Sequence, residues 1–145
     1  MRHANHFASG IVVLIFLVAS QRLLADEVAV VSAKSTVTTL SKSQLVDIFL
    51  GKAARFPDGS QAVPIDQSEG TPARDEFYTR IAGKSAAQMK AYWSKIIFTG
   101  RGQPPKAVSS SSEAKKLLGA NPNTIGYIDS KLVDDTLRVV TVTQQ

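Results

Sequence analysis

The residues from Gly70 to Arg74 place a turn former, a helix cap and a cation within five positions. Thr71 is a favourable N-cap, and Pro72 suits the first helical position because no N–H is needed there. Apolar residues then follow at four-residue spacing, at Ala73, Phe77 and Ile81. A helix start presents unpaired N–H groups and a positive dipole end, so this stretch predicts an oxyanion site, with Arg74 able to add a charged fork. The alternative is an ordinary surface helix with a solvated arginine.

Residue types that carry most acid–base and metal chemistry are scarce. The chain has no cysteine, and both histidines, His3 and His6, lie in its first six residues. The acidic pairs Asp26-Glu27, Asp75-Glu76 and Asp134-Asp135 are chain neighbours, which do not face one another on a helix or a strand. We therefore predict no catalytic residues, no metal site and no cofactor, and we do not expect an enzyme.

The first 25 residues are typical of a secretory signal peptide. Basic residues precede an apolar run over 11–19, and Ala25 is a small residue suited to cleavage before Asp26. This predicts export to the periplasm, with an uncleaved membrane anchor as the alternative, and leaves residues 26–145 as a single domain. Loss of Arg2 and Arg22 lowers Lys+Arg from 17 to 15 against 12 acids, a net charge of +3. That mild bias does not predict nucleic-acid binding.

The remaining elements alternate between strand and helix patterns, which predicts an α/β domain. Ser-x-x-Gln/Glu capping boxes begin three helices, at Ser41/Gln44, Ser85/Gln88 and Ser110/Glu113. The predicted strands are residues 27–32, 61–66, 124–128 and 137–143, and the central helix spans 72–82 with an exposed Glu76–Arg80 pair. Gly126, inside a strand, predicts close approach by another backbone or by a ligand.

Five segments resemble a known family: LSKSQLVDIFLGK, DGSQAVPID, GTPARDEF, YWSKIIFTGRGQPP and NPNTIGYI. Together they resemble the second lobe of the phosphate-type substrate-binding proteins of ABC transporters, in the periplasmic binding protein superfamily. More specifically, they resemble the short, single-lobe form. The resemblance implies one lobe like those of type II periplasmic binding proteins, with a mixed sheet flanked by helices.

The resemblance also implies where a ligand would bind. The family's Arg-x-x-Gly-Ser-Gly-Thr turn places its arginine at Gln67 and its first glycine at Gly70. Its later donors fall on Thr71, Pro72 and Ala73, and Arg74 matches an arginine that often follows. The implied ligand-binding residues are therefore Gln67, Gly70, Thr71, Ala73 and Arg74. Several donors are missing, since Gln67 is uncharged, Ala73 has no hydroxyl and Pro72 has no N–H. Glu69 adds a repelling charge.

Two hypotheses follow. In the first, an exported solute-binding protein captures phosphate or another small oxyanion for the membrane component of an ABC transporter. In the second, a single-lobe interaction module has lost tight capture and docks on a transporter, a sensor or another envelope protein. A lone lobe leaves its site open to water, which weakens ion binding, and its exposed edge strands predict a homodimer.

Overall fold

The computed structural model describes residues 26–145, and the predicted signal peptide, residues 1–25, lies outside the described residues. The strands are β1 (Glu27–Ser32), β2 (Thr39–Ser41), β3 (Val63–Gln67), β4 (Lys106–Val108), β5 (Thr124–Asp129), β6 (Leu137–Val139) and β7 (Thr141–Thr143). The helices are α1 (Lys42–Phe49), α2 (Pro72–Ala82), α3 (Ala86–Phe98) and α4 (Ser111–Ala120), with a 3-10 turn at Ser130–Leu132. No helix among these is long and apolar enough to cross a bilayer.

A five-stranded mixed sheet in the order β4-β3-β5-β1-β6 organises the fold, and β2 and β7 form a separate parallel pair. Strand β3 is parallel to both β4 and β5, whereas β1 is antiparallel to β5 and β6. The carboxyl ends of β3, β4 and β5 therefore meet at one edge of the sheet. The predicted fold class, a mixed sheet flanked by helices, is confirmed.

Each face of the sheet has its own hydrophobic core. One core joins the sheet to α1, α2 and α3 and contains Ala29, Val31, Phe49, Phe77, Tyr78, Trp93, Ile125 and Tyr127. The other lies under α4 and contains Val30, Ile65, Leu118 and Ile128. Neighbouring residues of β1 and β5 fall into different cores because side chains alternate along a strand. Helix α2 thus lies on the opposite face from α4.

Local capping signals predicted the helix starts well. The boxes Ser41/Gln44 and Ser85/Gln88 both form with reciprocal hydrogen bonds. At α4 only half of the predicted box forms: Ser110 Oγ accepts from the Glu113 N–H at 3.2 Å. The Glu113 carboxylate instead accepts from the N–H of Ser109 at 2.9 Å. Helix α2 has the predicted bounds and ends at Gly83, whose φ of 61° is left-handed.

Two sequence predictions are wrong. The expected Glu76–Arg80 pair does not form, because Arg80 instead lies 3.4 Å from Asp26 Oδ1 and donates to the main-chain oxygen of Glu27. The strand predicted over 137–143 is interrupted at Val140, whose N–H donates to Ala29 O at 2.9 Å. Its two halves consequently pair with different partners, β1 and β2.

A close approach at Gly126 is present, but the nearest group is a core side chain, and the neighbouring backbone lies slightly farther away. A Cβ at this position would lie 2.9 Å from Leu118 Cδ1 and 3.3 Å from the Ile65 main-chain oxygen. Gly126 therefore lets α4 pack directly on β5.

Candidate functional site

The predicted site lies where two helices leave the sheet on opposite faces. Helix α2 follows the carboxyl end of β3, and α4 follows the carboxyl end of the adjacent parallel strand β4. Ligands of open α/β sheets bind at such a crevice, outside the carboxyl ends of the strands. Gln67 connects the two sides, because its Nε2 donates to Ser111 Oγ at 3.1 Å.

The start of α2 has unpaired donors. Thr71 is the N-cap, but its side chain accepts no capping hydrogen bond and its Oγ1 donates to Ser68 O at 2.8 Å. The first main-chain bond of the helix runs from Asp75 N to Thr71 O at 3.2 Å. Among the described residues, the N–H groups of Ala73 and Arg74 have no hydrogen-bond acceptor. These two N–H groups can therefore receive an anion.

Arg74 lies inside the protein, so the alternative of a solvated arginine is wrong. The residue is only 8% exposed, and its Nε lies 3.5 Å from Asp66 Oδ2. Its guanidinium carbon lies 5.2 Å from the centre of the Tyr78 ring, a cation–π distance. Within residues 26–145, the two terminal nitrogens of Arg74 make no hydrogen bond. Asp66 therefore holds the side chain through Nε alone, and the two terminal nitrogens are left without a hydrogen-bond acceptor among the described residues.

Asp66 is the centre of the buried polar network behind this helix start. Its Oδ2 accepts from Tyr78 OH at 2.7 Å, and its Oδ1 accepts from Tyr127 OH and from the Gln67 N–H. Burial, reinforced by the Asp66 charge, raises the pKa of both tyrosines above the ordinary value, so they remain hydroxyl donors. Sequence reasoning missed this network because Tyr78 and Tyr127 lie 12 and 61 positions from Asp66.

Gln67 contributes to the fold through both hydrogens of its side-chain amide. Its Nε2 donates to the main-chain oxygen of Tyr127 at 3.0 Å as well as to Ser111, and the residue is 3% exposed. Gln67 therefore joins β3 to β5 and to the start of α4, and both of its amide hydrogens are used by the fold.

The remaining predicted residues lie at the surface of the crevice. Gly70 is exposed with a φ of 86°, a left-handed conformation that favours glycine, and Ala73 is half-buried. Glu69 does not fold over the helix start, since its Oε1 lies 3.8 Å from Lys90 Nζ on α3. The tip of α2 is therefore open, and the repelling carboxylate has a counter-ion.

The start of α4 differs, because it already holds an anion. Glu113 accepts from both the N–H and the hydroxyl of Ser109, and these hydrogen bonds lower the pKa of Glu113. A second anion there would meet a resident carboxylate. Helix α2 also carries an acid in its first turn, Asp75, but the Asp75 Oδ1 makes no hydrogen bond among the described residues, so the N–H groups of Ala73 and Arg74 stay free. Residues 26–145 contain no group of three or more acidic or histidine side chains able to hold a metal ion.

Solved structures with the same fold carry phosphate-transport names. A protein from Clostridium perfringens, provisionally named a phosphate ABC transporter substrate-binding protein and solved with bound phosphate, superposes with a TM-score of 0.65 at 22% identity. An ABC-type phosphate transport receptor from Vibrio cholerae gives 0.63 at 19% identity. PstS from Borrelia burgdorferi gives 0.58 at 14% identity. The chain has the fold of one lobe of such proteins.

The extent of the match supports this description. The aligned part covers 80% of this chain but 44%, 45% and 46% of those three chains, so the protein spans a little under half of their length. Their names describe substrate-binding and transport proteins and none describes an enzyme. No protein-family model matches the sequence, and no curated protein matches it significantly. At these identities the similarity establishes the fold.

Proposed function

We propose that the protein is an exported, solute-binding-type lobe that binds phosphate or a similar small oxyanion at the start of α2. The ligand would take the free N–H groups of Ala73 and Arg74, with the Gly70–Thr71 turn beneath it and the Arg74 fork beside it. Gln67 would hold the crevice in shape through its bonds to Tyr127 and Ser111. Release into the periplasm after cleavage at Ala25 is part of the proposal, and mass spectrometry of the mature amino terminus tests it.

The observation that carries the proposal is the pairing of an uncapped helix start with a positioned arginine. Helices α1, α3 and α4 each begin with a serine whose hydroxyl accepts a main-chain N–H, whereas the Thr71 hydroxyl turns away. Asp66 holds Arg74 through Nε alone. An arginine fork matches the geometry of phosphate oxygens. The solved structure with the same fold and bound phosphate makes this ligand class the first to test.

The affinity of an isolated lobe is expected to be low. Asp66 neutralises much of the Arg74 charge, and an open site keeps water and a high dielectric around the ion. We expect a dissociation constant of about a millimolar for the protein alone. A second copy or a transporter component that covers the crevice would exclude water and strengthen binding, so a phosphate-dependent homodimer is part of the proposal.

Calorimetric titration of the purified protein with phosphate and with sulfate tests this function. Arg74→Lys keeps a cation next to Asp66 but removes the fork, and it should weaken phosphate binding by about tenfold. Lys52→Gln is the control, because Lys52 is an exposed cation without an ion-pair partner among the described residues. No heat with phosphate, or equal binding by Arg74→Lys and the parent protein, would contradict the proposal. Sedimentation with and without phosphate tests the dimer.

A second function is favoured because several donors at the site already make hydrogen bonds within the protein. The amide hydrogens of Gln67 and the Nε of Arg74 are engaged internally, and the chain matches less than half of the two-lobe-sized structures. These features suit an interaction module that docks on a transporter membrane component, a sensor or another envelope protein without tight capture. Crosslinking in intact envelopes should then yield one stoichiometric partner, and its loss on covering the crevice with Thr71→Trp would locate the interface.

A further inference from the structure

The positive charge of the described residues is concentrated in one segment. Residues 77–112, which include most of α2 and all of α3 and β4, contain six Lys/Arg and no Asp/Glu. Residues 26–76 carry more acids than bases, and residues 113–145 carry equal numbers. The net charge of +3 over residues 26–145 therefore arises wholly from this segment.

Helix α3 directs a distinct surface to solvent. Its inner side is fixed by buried Met89 and Trp93, and the Tyr92 hydroxyl donates to Leu50 O at 2.6 Å. The outer side carries small and apolar residues at helical spacing: Ala87, Ala91, Ser94 and Phe98, all exposed. Lys90 and Lys95 project from either edge of this stripe. Within this stripe only Phe98 is a large apolar residue, so the apolar surface of the helix is concentrated at its carboxyl end.

The end of the helix holds two large apolar side chains in water. Phe98 is 93% exposed and Ile97 is 53% exposed. The chain does not fray after them, because Gly100 has a φ of 68° and the N–H groups of Gly100 and Arg101 donate to Ile97 O and Ile96 O, both at 3.1 Å. Lys95 lies three residues before Phe98, and Arg101 lies three residues after it, beyond this closed turn. We call Lys95, Ile97, Phe98 and Arg101 the α3 tip.

The cations of the α3 tip are not neutralised by the fold. Among the described residues, the ion pairs join Arg74, Arg80, Lys90 and Lys115 to acids, and neither Lys95 nor Arg101 belongs to one. An exposed aromatic ring is costly in water, and a ring flanked in the sequence by two unpaired cations is complementary to a surface with acyl chains beneath anionic headgroups.

We propose that the α3 tip docks the protein on an anionic lipid surface. Phe98 enters the headgroup region, Ile97 follows at its edge, and Lys95 and Arg101 contact lipid phosphates. A lipid surface is favoured over an acidic protein because Phe98 is almost fully exposed and two unpaired cations accompany it. An exposed ring of this kind can enter a fluid headgroup region, which needs no complementary pocket. The α3 tip is at the carboxyl end of α3, and none of its four residues belongs to the crevice at the start of α2.

The absence of cysteine allows one fluorescent probe to report on this surface. Ser94→Cys in the full-length protein, labelled with an environment-sensitive dye, places the dye one helical turn before Phe98. The label is titrated with vesicles of phosphatidylcholine alone and with vesicles that also contain phosphatidylglycerol. We expect a blue shift only with the anionic vesicles, and we expect added salt to reverse it. Ser112→Cys on α4 is the matched label on the opposite face and should not respond.

Substitutions then separate the contributions within the tip. Phe98→Ser and Arg101→Gln should each weaken vesicle binding, by about tenfold for the ring and about fivefold for the cation. Lys116→Gln removes an exposed cation from α4 and should leave binding unchanged. Residues 1–25 are present in every variant, so any contribution from them is common to all. No blue shift at Ser94, equal binding by the tip variants and the parent, or a response to an acidic polypeptide but not to vesicles would overturn the proposal.

Discussion

The Nε of Arg74 lies 3.5 Å from Oδ2 of Asp66, and both residues are buried. The pair links the first turn of α2 to the strand before it, so the helix start is held at a fixed position relative to the sheet. Two tyrosine hydroxyls and one main-chain N–H satisfy the remaining acceptor sites of the carboxylate. Removing one partner of such a buried ion pair is strongly destabilising, because the other charge stays buried without a counter-ion.

Asp66→Asn should therefore destabilise the protein markedly. The substitution leaves the Arg74 cation buried without its counter-ion and replaces an oxygen acceptor by an amide donor. We expect the free energy of unfolding to fall by about 3–5 kcal/mol, measured by urea denaturation. Asp135→Asn is the control, because Asp135 is exposed and its side chain makes no hydrogen bond or ion pair among residues 26–145. If both substitutions cost the same, the network does not hold α2 as described.

Glu27 should make the stability depend on pH. Burial, then the nearby charges of Asp129 and Glu76, raise the pKa of Glu27 from 4.5 to about 7, although Arg80 opposes the shift. Its Oε2 is buried and has no hydrogen-bond partner. Because the folded pKa exceeds the unfolded one, the stabilising effect of the proton is complete below about pH 4.5 and is lost as pH rises through about 7.

Glu27→Gln tests that sign directly. The parent protein should lose about 3 kcal/mol of unfolding free energy through this group between about pH 4.5 and about pH 8. The variant should lack this decrease and should be more stable than the parent at the higher pH. Urea denaturation at several pH values measures both, and Glu76→Gln should move the decrease to lower pH. A variant that keeps the full decrease would assign it to another group.

Gly126 and Gly119 should respond in opposite directions to alanine. Gly126→Ala places a methyl group 2.9 Å from Leu118 Cδ1, inside a core where Leu118 is fully buried, and should cost about 1–3 kcal/mol. At Gly119, in α4, the nearest atom to a new Cβ is 3.5 Å away, so the gain in helix propensity should stabilise by up to about 1 kcal/mol. Thermal unfolding distinguishes the two, and destabilisation by both would contradict this account.

The helix starts could be predicted from sequence because their determinants are local. Ser85 and Gln88 lie three residues apart and bond to each other whatever the rest of the chain does. The same holds for Ser41 and Gln44 at α1. The anion hypothesis likewise depended on the Gly70–Pro72 signal, which correctly predicted where α2 begins.

Features that depend on distant residues could not be predicted in this way. Arg80 was expected to bond within its helix, but Asp26, 54 positions away, and the adjoining main chain lie closer to it. The three-residue strand β4 carries no strand pattern of its own and is defined by its pairing with β3. The role of Asp66 needed Tyr127 from another strand. At such positions tertiary contacts override local preference.

Thr71→Asp should separate anion binding from stability at the α2 start. An aspartate at an N-cap accepts the free N–H groups itself and interacts favourably with the helix dipole. These gains offset loss of the Thr71 hydroxyl bond to Ser68, so we expect stability to be unchanged or raised by up to about 1 kcal/mol. The new carboxylate occupies the proposed anion position, and phosphate binding should be abolished.

Thermal unfolding with and without phosphate measures both quantities in one experiment. The parent protein should gain stability as phosphate is added, whereas Thr71→Asp should begin at an equal or higher melting temperature and show no gain. Thr71→Ser, which keeps a neutral hydroxyl, should behave like the parent. A phosphate response that survives in Thr71→Asp would place the anion elsewhere. The carboxylate and a phosphate would compete for the N–H groups of Ala73 and Arg74 and would repel each other.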